Sequence, residues 1–236
     1  MNAIRVVNSY YIIRNLEIRN TNEGVRLERV TGVVFENNDV HHINNEGIRL
    51  HFFAVSNIVR NSRVYDTGLT SNGEGIYIGT APEQRYKNGG LPDTSTHNII
   101  SGNEIYGTRG EAIDIKEDSS YTTIENNVVH NVNAPNSGGM CIRSDQNYLY
   151  GNISRDNDGA GFRFGGDIVY SPIYGNNYHY GLNNVLRNNV ANNNAGYGYK
   201  FMAGPQDANL SNTGFGNGGQ LYYYGSGVSP FVSAGL

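Results

Sequence analysis

The chain has 236 residues, with 31 Gly, 18 Tyr, 6 Pro, one Cys and no Trp, which is enough for one sizeable core and nothing that demands a second. A formal net charge of −4 excludes a general nucleic-acid binder, which carries a basic excess, and the single cysteine excludes an intramolecular disulfide framework. No run approaches the ~20 apolar residues of a membrane-spanning helix, and MNAIRVVNSYY at the start lacks the charged-then-apolar pattern of a signal peptide.

Strand-like sequence begins at once, so the expected organisation is a single domain over residues 1–236, a trimmed or mature fragment without its N-terminal cap and with a non-native Met1. Glycine, tyrosine and paired asparagines such as Asn37-Asn38, Asn126-Asn127 and Asn188-Asn189 favour strands and turns over helices. One phrase recurs in chain order, a small residue, an apolar one, a variable one and an apolar one: GVRL from Gly24, GIRL from Gly47, GIYI from Gly75, AIDI from Ala112, GMCI from Gly139, GFRF from Gly161 and GYKF from Gly198. After each of the first six comes an Asn-rich turn and an apolar strand: FENNDV, VRNSRV, ISGNEI, IENNVV, LYGNIS and LRNNVA.

Aligning those turns puts Asn38, Ser62, Asn103, Asn127, Asn152 and Asn189 in one column, at spacings of 24, 41, 24, 25 and 37 residues. Asparagine tolerates left-handed backbone and bonds its neighbours, so the column is predicted to form a ladder of side-chain amides. A basic period of about two dozen, built from short strands, predicts an all-β right-handed parallel β-helix of about seven to eight coils, each burying its apolar side chains only by stacking on the next. A leucine-rich repeat would need leucines and helical segments that are absent, and a β-sandwich predicts no fixed period.

In each strand the apolar pair points inward and the residue between points out. The outward column is Arg26, Arg49, Tyr77, Asp114, Cys141, Arg163 and Lys200, and two residues further runs a second: Glu28, His51, Gly79, Lys116, Arg143, Gly165 and Met202. Lys116 and Arg143 are thus predicted neighbours, about 4.8 Å apart at the backbone, with Asp114 and Lys116 exposed. Glu23, Glu46, Glu74 and Glu111 form a third column, whose mutual repulsion implies a bound cation or pairing with nearby arginines, unless they are solvated turn residues. His51, His97, His130 and His179 read as surface or turn residues, and Cys141 as an exposed thiol with no histidine in its column.

The two long coils carry their extra residues just after the outward strand, as GTAPEQRYKNGGLPDTST (Gly79 to Thr96) and GGDIVYSPIYGNNYHYG (Gly165 to Gly181). The coils of Lys116 and Arg143 lie between them, so the insertions are expected to wall a cleft over that pair. Insertions of this length are functional or disordered. Their Arg85, Tyr86 and Lys87, and Tyr170, Tyr174, Tyr178, His179 and Tyr180, suit stacking on sugar rings and holding anions, or else pack the loops down. A lysine beside an arginine in such a groove suits abstraction of the proton α to a uronate carboxylate, followed by β-elimination, with Arg143 lowering the lysine pKa and neutralising the carboxylate.

The phrase and its period resemble the pectin-lyase-like superfamily of right-handed parallel β-helices. More narrowly, EAIDIK (Glu111 to Lys116) and CIRSDQN (Cys141 to Asn147) are similar to the segment of family 6 polysaccharide lyases, the alginate lyase and chondroitinase B group, that carries a calcium-binding Glu, a catalytic Lys and a catalytic Arg. The resemblance implies Lys116 as base, Arg143 as acid or charge stabiliser, Glu111 as a Ca²⁺ ligand and an extracellular or periplasmic location. The glutamate stack adds Glu74 as a second ligand, the basic groove favours an acidic polysaccharide substrate, and charge and composition leave no nucleic-acid or membrane partner, with a monomer expected. Arg49, His51, Tyr77, Arg85, Tyr86, Asp114, Arg163, Tyr170, Tyr174, Tyr178 and His179 are the substrate-binding candidates. The chain departs from that group where its second glutamate falls on Arg109, where the Lys-to-Arg interval is longer, and where no Asn ligand can be placed. A glycoside hydrolase using a pair among Glu111, Asp114, Glu117, Asp118 and Asp145, a C5-epimerase, and a non-catalytic glycan-binding or structural solenoid remain open.

Overall fold

Every copy of the repeated phrase becomes a short strand paired to the next copy. The computed structural model describes residues 2–71 and 73–229, so Met1 lies outside the described residues. One sheet has nine strands in chain order, Asn2–Val6, Glu23–Glu28, Ile48–His51, Ile76–Ile78, Ile113–Ile115, Gly138–Ile142, Ala160–Phe164, Tyr199–Phe201 and Tyr222–Tyr224. Each neighbouring pair is parallel, as are the pairs in two further sheets of eight and seven strands. The chain visits the three sheets in turn, which makes a parallel solenoid of about nine coils, slightly more than the seven to eight expected. The first was missed because Leu16 stands at its ladder position, donating its backbone N–H to Asn38 Oδ1 at 2.9 Å. The last was missed because Leu221-Tyr222-Tyr223-Tyr224 has no small residue.

The small residue is a steric requirement. A Cβ at Gly24 would stand 2.3 Å from the carbonyl oxygen of Gly47, the corresponding glycine one coil on. Inside, the apolar pairs stack in register, from Val25 and Leu27 through Ile113 and Ile115 to Phe162 and Phe164. Toward the C-terminal coils the stack becomes aromatic, with Phe162 on Tyr199 at 4.9 Å and Phe164 on Phe201 at 5.0 Å between ring centroids.

The amide ladder forms as expected and runs one rung further, to Asn212. Its two requirements are split between adjacent residues. Asn37, Asn61, Gly102, Asn126, Gly151 and Asn188 take the left-handed backbone, with φ of 50 to 62°, while the following residue turns its side chain inward. Asn57 and Asn98 form a rung of a second ladder, and Asn157, Asn194 and Asn217 a third.

Candidate active site

The registers place the outward column as read from the sequence: Arg26, Arg49, Tyr77, Asp114, Cys141, Arg163 and Lys200 are successive partners. Lys116 and Arg143 follow the ends of adjacent strands, and the Arg143 N–H donates to the Ile115 carbonyl at 2.9 Å. Asp114 holds both cations, with Oδ2 2.5 Å from Lys116 Nζ and 3.1 Å from an Arg143 guanidinium nitrogen. Glu74 lies 3.8 Å from Lys116 Nζ and Glu111 3.5 Å from Arg143. The Tyr77 ring faces Lys116, 4.6 Å from its nitrogen, and takes Arg49 on the same ring at 4.7 Å.

Three expectations about this face are corrected. Asp114 is 0 % and Lys116 5 % exposed, and Cys141 is fully buried, as is His51. A period of two decides from which side of a sheet a side chain leaves, not what then covers it. Secondly, Lys116 is not made a ready base by Arg143. Burial works to lower its pKa, but Asp114, Tyr77 and Glu74 outweigh burial and Arg143 together and hold the ammonium well above the usual lysine range. Thirdly, the insertions do not stand apart as cleft walls. Arg85, from the first, pairs with Asp118 at 2.7 Å and donates to the Tyr170 carbonyl of the second at 2.8 Å. Tyr180 donates to Asp118 at 2.6 Å, and Tyr178 to Asp145 at 3.0 Å.

The substrate-binding candidates therefore divide. Tyr77 and Asp114 adjoin Lys116, Arg49 meets the same Tyr77 ring and His51 stacks on Phe52, and all four are buried; Arg163 lies one coil past Cys141, 3.9 Å from its sulfur; Arg85 is turned inward. Tyr86, Tyr170 and Tyr174 are exposed on the insertions, and His179 Nε2 lies 3.0 Å from the Gly166 carbonyl. Burial and the surrounding arginines push the His51 pKa down to about 2, so its ring is neutral. Open access lies to the other side, where a cavity of 360 Å³ is lined by Glu74, Arg109, Glu111, Arg143 and the segment 133–137. That segment, Asn-Ala-Pro-Asn-Ser, was not singled out from sequence, although its composition is that of a turn.

The glutamate column is real, since Gly24, Gly47 and Gly75 donate to the carbonyls of Glu46, Glu74 and Glu111. Its charges are met by cations: Arg26 on Glu23, Arg49 on Glu46 at 3.5 Å, Lys116 on Glu74 and Arg143 on Glu111. Glu74, Glu111 and Asp114 nevertheless bring one carboxylate oxygen each within 4.8 Å of one another. One observation fits a hard cation there: Asp114 Oδ1 is buried without a hydrogen-bond partner. An all-oxygen donor set is the chemistry calcium takes.

Three parallel sheets visited in turn by coil after coil define the class of parallel β-helices. The chain belongs to the family of right-handed beta helix regions, which matches residues 86–233, and is a pectin-lyase-like right-handed parallel β-helix. It is similar to pectate lyase L of Paenibacillus polymyxa (strain SC2), 22% identical across 98% of this chain and 47% of that protein. The chain thus spans about half the length of that relative. Among solved structures it resembles an alginate lyase from Paenibacillus sp. str. FPU-7 (TM-score 0.78, 23% identity, 95% of this chain and 75% of that one). It also resembles the A-module of the Azotobacter vinelandii mannuronan C-5 epimerase AlgE4 (TM-score 0.64, 17% identity, 98% and 65%). What is shared at these identities is the fold. Among the described residues no helix is long and apolar enough to cross a membrane.

Proposed function

We propose that the protein is a lyase that cleaves a uronic-acid polysaccharide, alginate, pectate or a glycosaminoglycan, by β-elimination. The observation that carries this reading is the Lys116–Asp114–Arg143 cluster, whose arginine also lines a cavity with Arg109. Arginine stays charged at all working pH and binds carboxylates in a fixed geometry. Arg143 and Arg109 therefore neutralise the uronate carboxylate and acidify the C5–H. Lys116 in its neutral form takes that proton; the electron pair forms the C4–C5 double bond, and the C4–O bond breaks with its electrons on the departing sugar. Calcium held by Glu74, Glu111 and Asp114 would add positive charge against the same carboxylate and weaken the hold of those groups on the Lys116 proton.

The pectate lyase and alginate lyase relatives support this reading, and the epimerase supports a second one, in which the same carbanion is reprotonated on the opposite face. A carboxylate hydrolase is less supported, because Asp114 and Glu111 are both engaged by cations. An extracellular or periplasmic location and action as a monomer accompany the lyase reading.

A panel of alginate, polygalacturonate, chondroitin and neutral glucan tests it. Absorbance near ~230 nm should rise with at least one uronate polymer and with no glucan. Reducing ends without absorbance would overturn the reading in favour of a hydrolase, and altered uronate stereochemistry at constant chain length in favour of an epimerase.

A further inference from the structure

The outer face of a solenoid sheet is ordinarily open to water, yet here Arg49, His51, Tyr77, Asp114, Lys116 and Glu117 are all buried. On this face buried side-chain atoms lack hydrogen-bond partners: Arg49 Nε, both ring nitrogens of His51, Glu117 Oε2 and Arg143 Nε, with Asn88 Nδ2 on the first insertion itself. Buried polar atoms are normally paired. A row of unpaired ones along one face marks a place that something other than the chain satisfies. The row mixes N–H donors with a carboxylate acceptor, the combination that hydroxyls and carboxylates complement.

The covering segments have the construction of movable parts. The first leaves its strand at Gly79, turns through the 3₁₀ helix Pro82–Asn88 and reverses at Gly89 and Gly90, with φ of 88, 65 and 81° respectively. A Cβ on Gly89 or Gly90 would meet nothing within 4 Å. Its root is fixed by Asp93, which accepts from the N–H groups of Phe52 and Phe53 at 2.7 and 3.0 Å and from Thr80 Oγ1 at 2.6 Å. The second is the antiparallel hairpin Val169–Ser171 and Asn176–Tyr178, entered at Gly165 and left at Gly181, with φ of 83 and 102°. Gly166 passes over the catalytic candidates, its Cβ position 3.3 Å from Arg143 Cδ and 3.7 Å from Glu117 Oε1. Arg85 joins both insertions to Asp118, and the Tyr180 hydroxyl adds a second bond to that carboxylate.

We infer that the two insertions are a roof, hinged at these glycines and latched by Arg85 on Asp118, over a preformed polar site that takes a saccharide carrying hydroxyls and carboxylates. The ligand class rests on the lyase reading; the roof does not. Arg85 is thus a positioning residue, not a reader of substrate, and the unpaired polar atoms covered by the insertions are reached only when both insertions move together, while the cavity of Arg109 and Arg143 stays open on the other side.

Hydrogen exchange on the whole chain, read by mass spectrometry, tests the latch. In Arg85→Ala, residues 80–90 and 168–178 should exchange at least tenfold faster together, while Ile113–Ile115 keeps its rate. Tyr180→Phe, which retains the ring, should shift both insertions in the same direction by less. Acceleration of one insertion alone, or of the strands as well, would overturn the latch. For the ligand, mannuronate and galacturonate hexamers and cellohexaose are added to Lys116→Ala. Slower roof exchange with a uronate hexamer and none with cellohexaose is expected; equal protection, or no protection by either uronate hexamer, would overturn the ligand class. A protein that opens and binds but never yields absorbance overturns only the lyase reading.

Discussion

At Lys116 the decisive fact is the company of its ammonium. Asp114 at 2.5 Å raises its pKa, so only a small fraction is neutral at physiological pH, and turnover should climb steadily with pH through about 8 to 10 with no plateau, because the base form is the deprotonated one. An initial-rate profile on the best substrate checks this, and a plateau near neutrality would assign the base elsewhere. Lys116→Ala should lower turnover about 10²- to 10⁴-fold. It also breaks a buried ion pair, a change that costs about 3–5 kcal/mol when one partner is left uncompensated; Arg143 still pairs with Asp114, so the loss of stability should fall below that range by urea titration. Glu74 gives a stability test with a definite sign. Its pKa rises from an ordinary 4.5 to about 8 on folding, so the folded chain keeps a proton that the unfolded chain releases. Its contribution is full below about pH 4.5 and is lost as pH rises through about 8. The Tm advantage of Glu74→Gln over the parent should therefore grow between about pH 5 and 8, and a constant difference would refute it.

Among the elements, the turns make the sharpest contrast, because neighbouring asparagines do different work. Asn127 is fully buried; its amide donates to Ile100 O at 2.8 Å and Asn152 Oδ1 at 3.0 Å, and its oxygen accepts from the backbone and side chain of Asn103, each at 3.0 Å. Replacing it strands partners on two adjoining coils, each unsatisfied buried group costing about 1–3 kcal/mol. Asn126 supplies only a left-handed backbone, with φ 54°, a conformation glycine adopts without steric cost. Asn127→Ala should thus lower stability by several kcal/mol while Asn126→Gly stays within about 1 kcal/mol of the parent. Paired thermal melts decide this, and similar losses for the two would mean that the ladder contributes little.

On the scale of the molecule, the coils are held by one continuous apolar stack, so a ligand bound to carboxylates from neighbouring coils stabilises the fold they share. If Glu74, Glu111 and Asp114 take Ca²⁺, the ion should raise Tm, with a gain approaching ~2.7 kcal/mol at a hundred times its Kd. Glu74→Gln should weaken that response. A titration to millimolar Ca²⁺ with no heat and no change in Tm would remove the metal and leave Arg109 and Arg143 alone to meet the substrate carboxylate.

The sequence by itself determined the solenoid, the amide ladder and the outward columns, because all three follow from local periodicities. A strand alternates every two residues, a coil repeats about every two dozen, and a glycine is required wherever a Cβ would meet the next coil's carbonyl, as at Gly24. The first and last coils were less legible, since Leu16 and the Tyr222–Tyr224 strand break the phrase without breaking the register. Adjacency of Lys116 and Arg143 was legible for the same reason. Their burial, the charge on Lys116 and the closure of the insertions were not. Asp114 acts on Lys116 through a side-chain contact, and Arg85 reaches Asp118, 33 residues on, so both depend on packing across coils and loops that no periodicity specifies. Only the tertiary structure could decide that the face is covered, because what shields a side chain on a solenoid comes from insertions whose path is set by their own hinges and contacts.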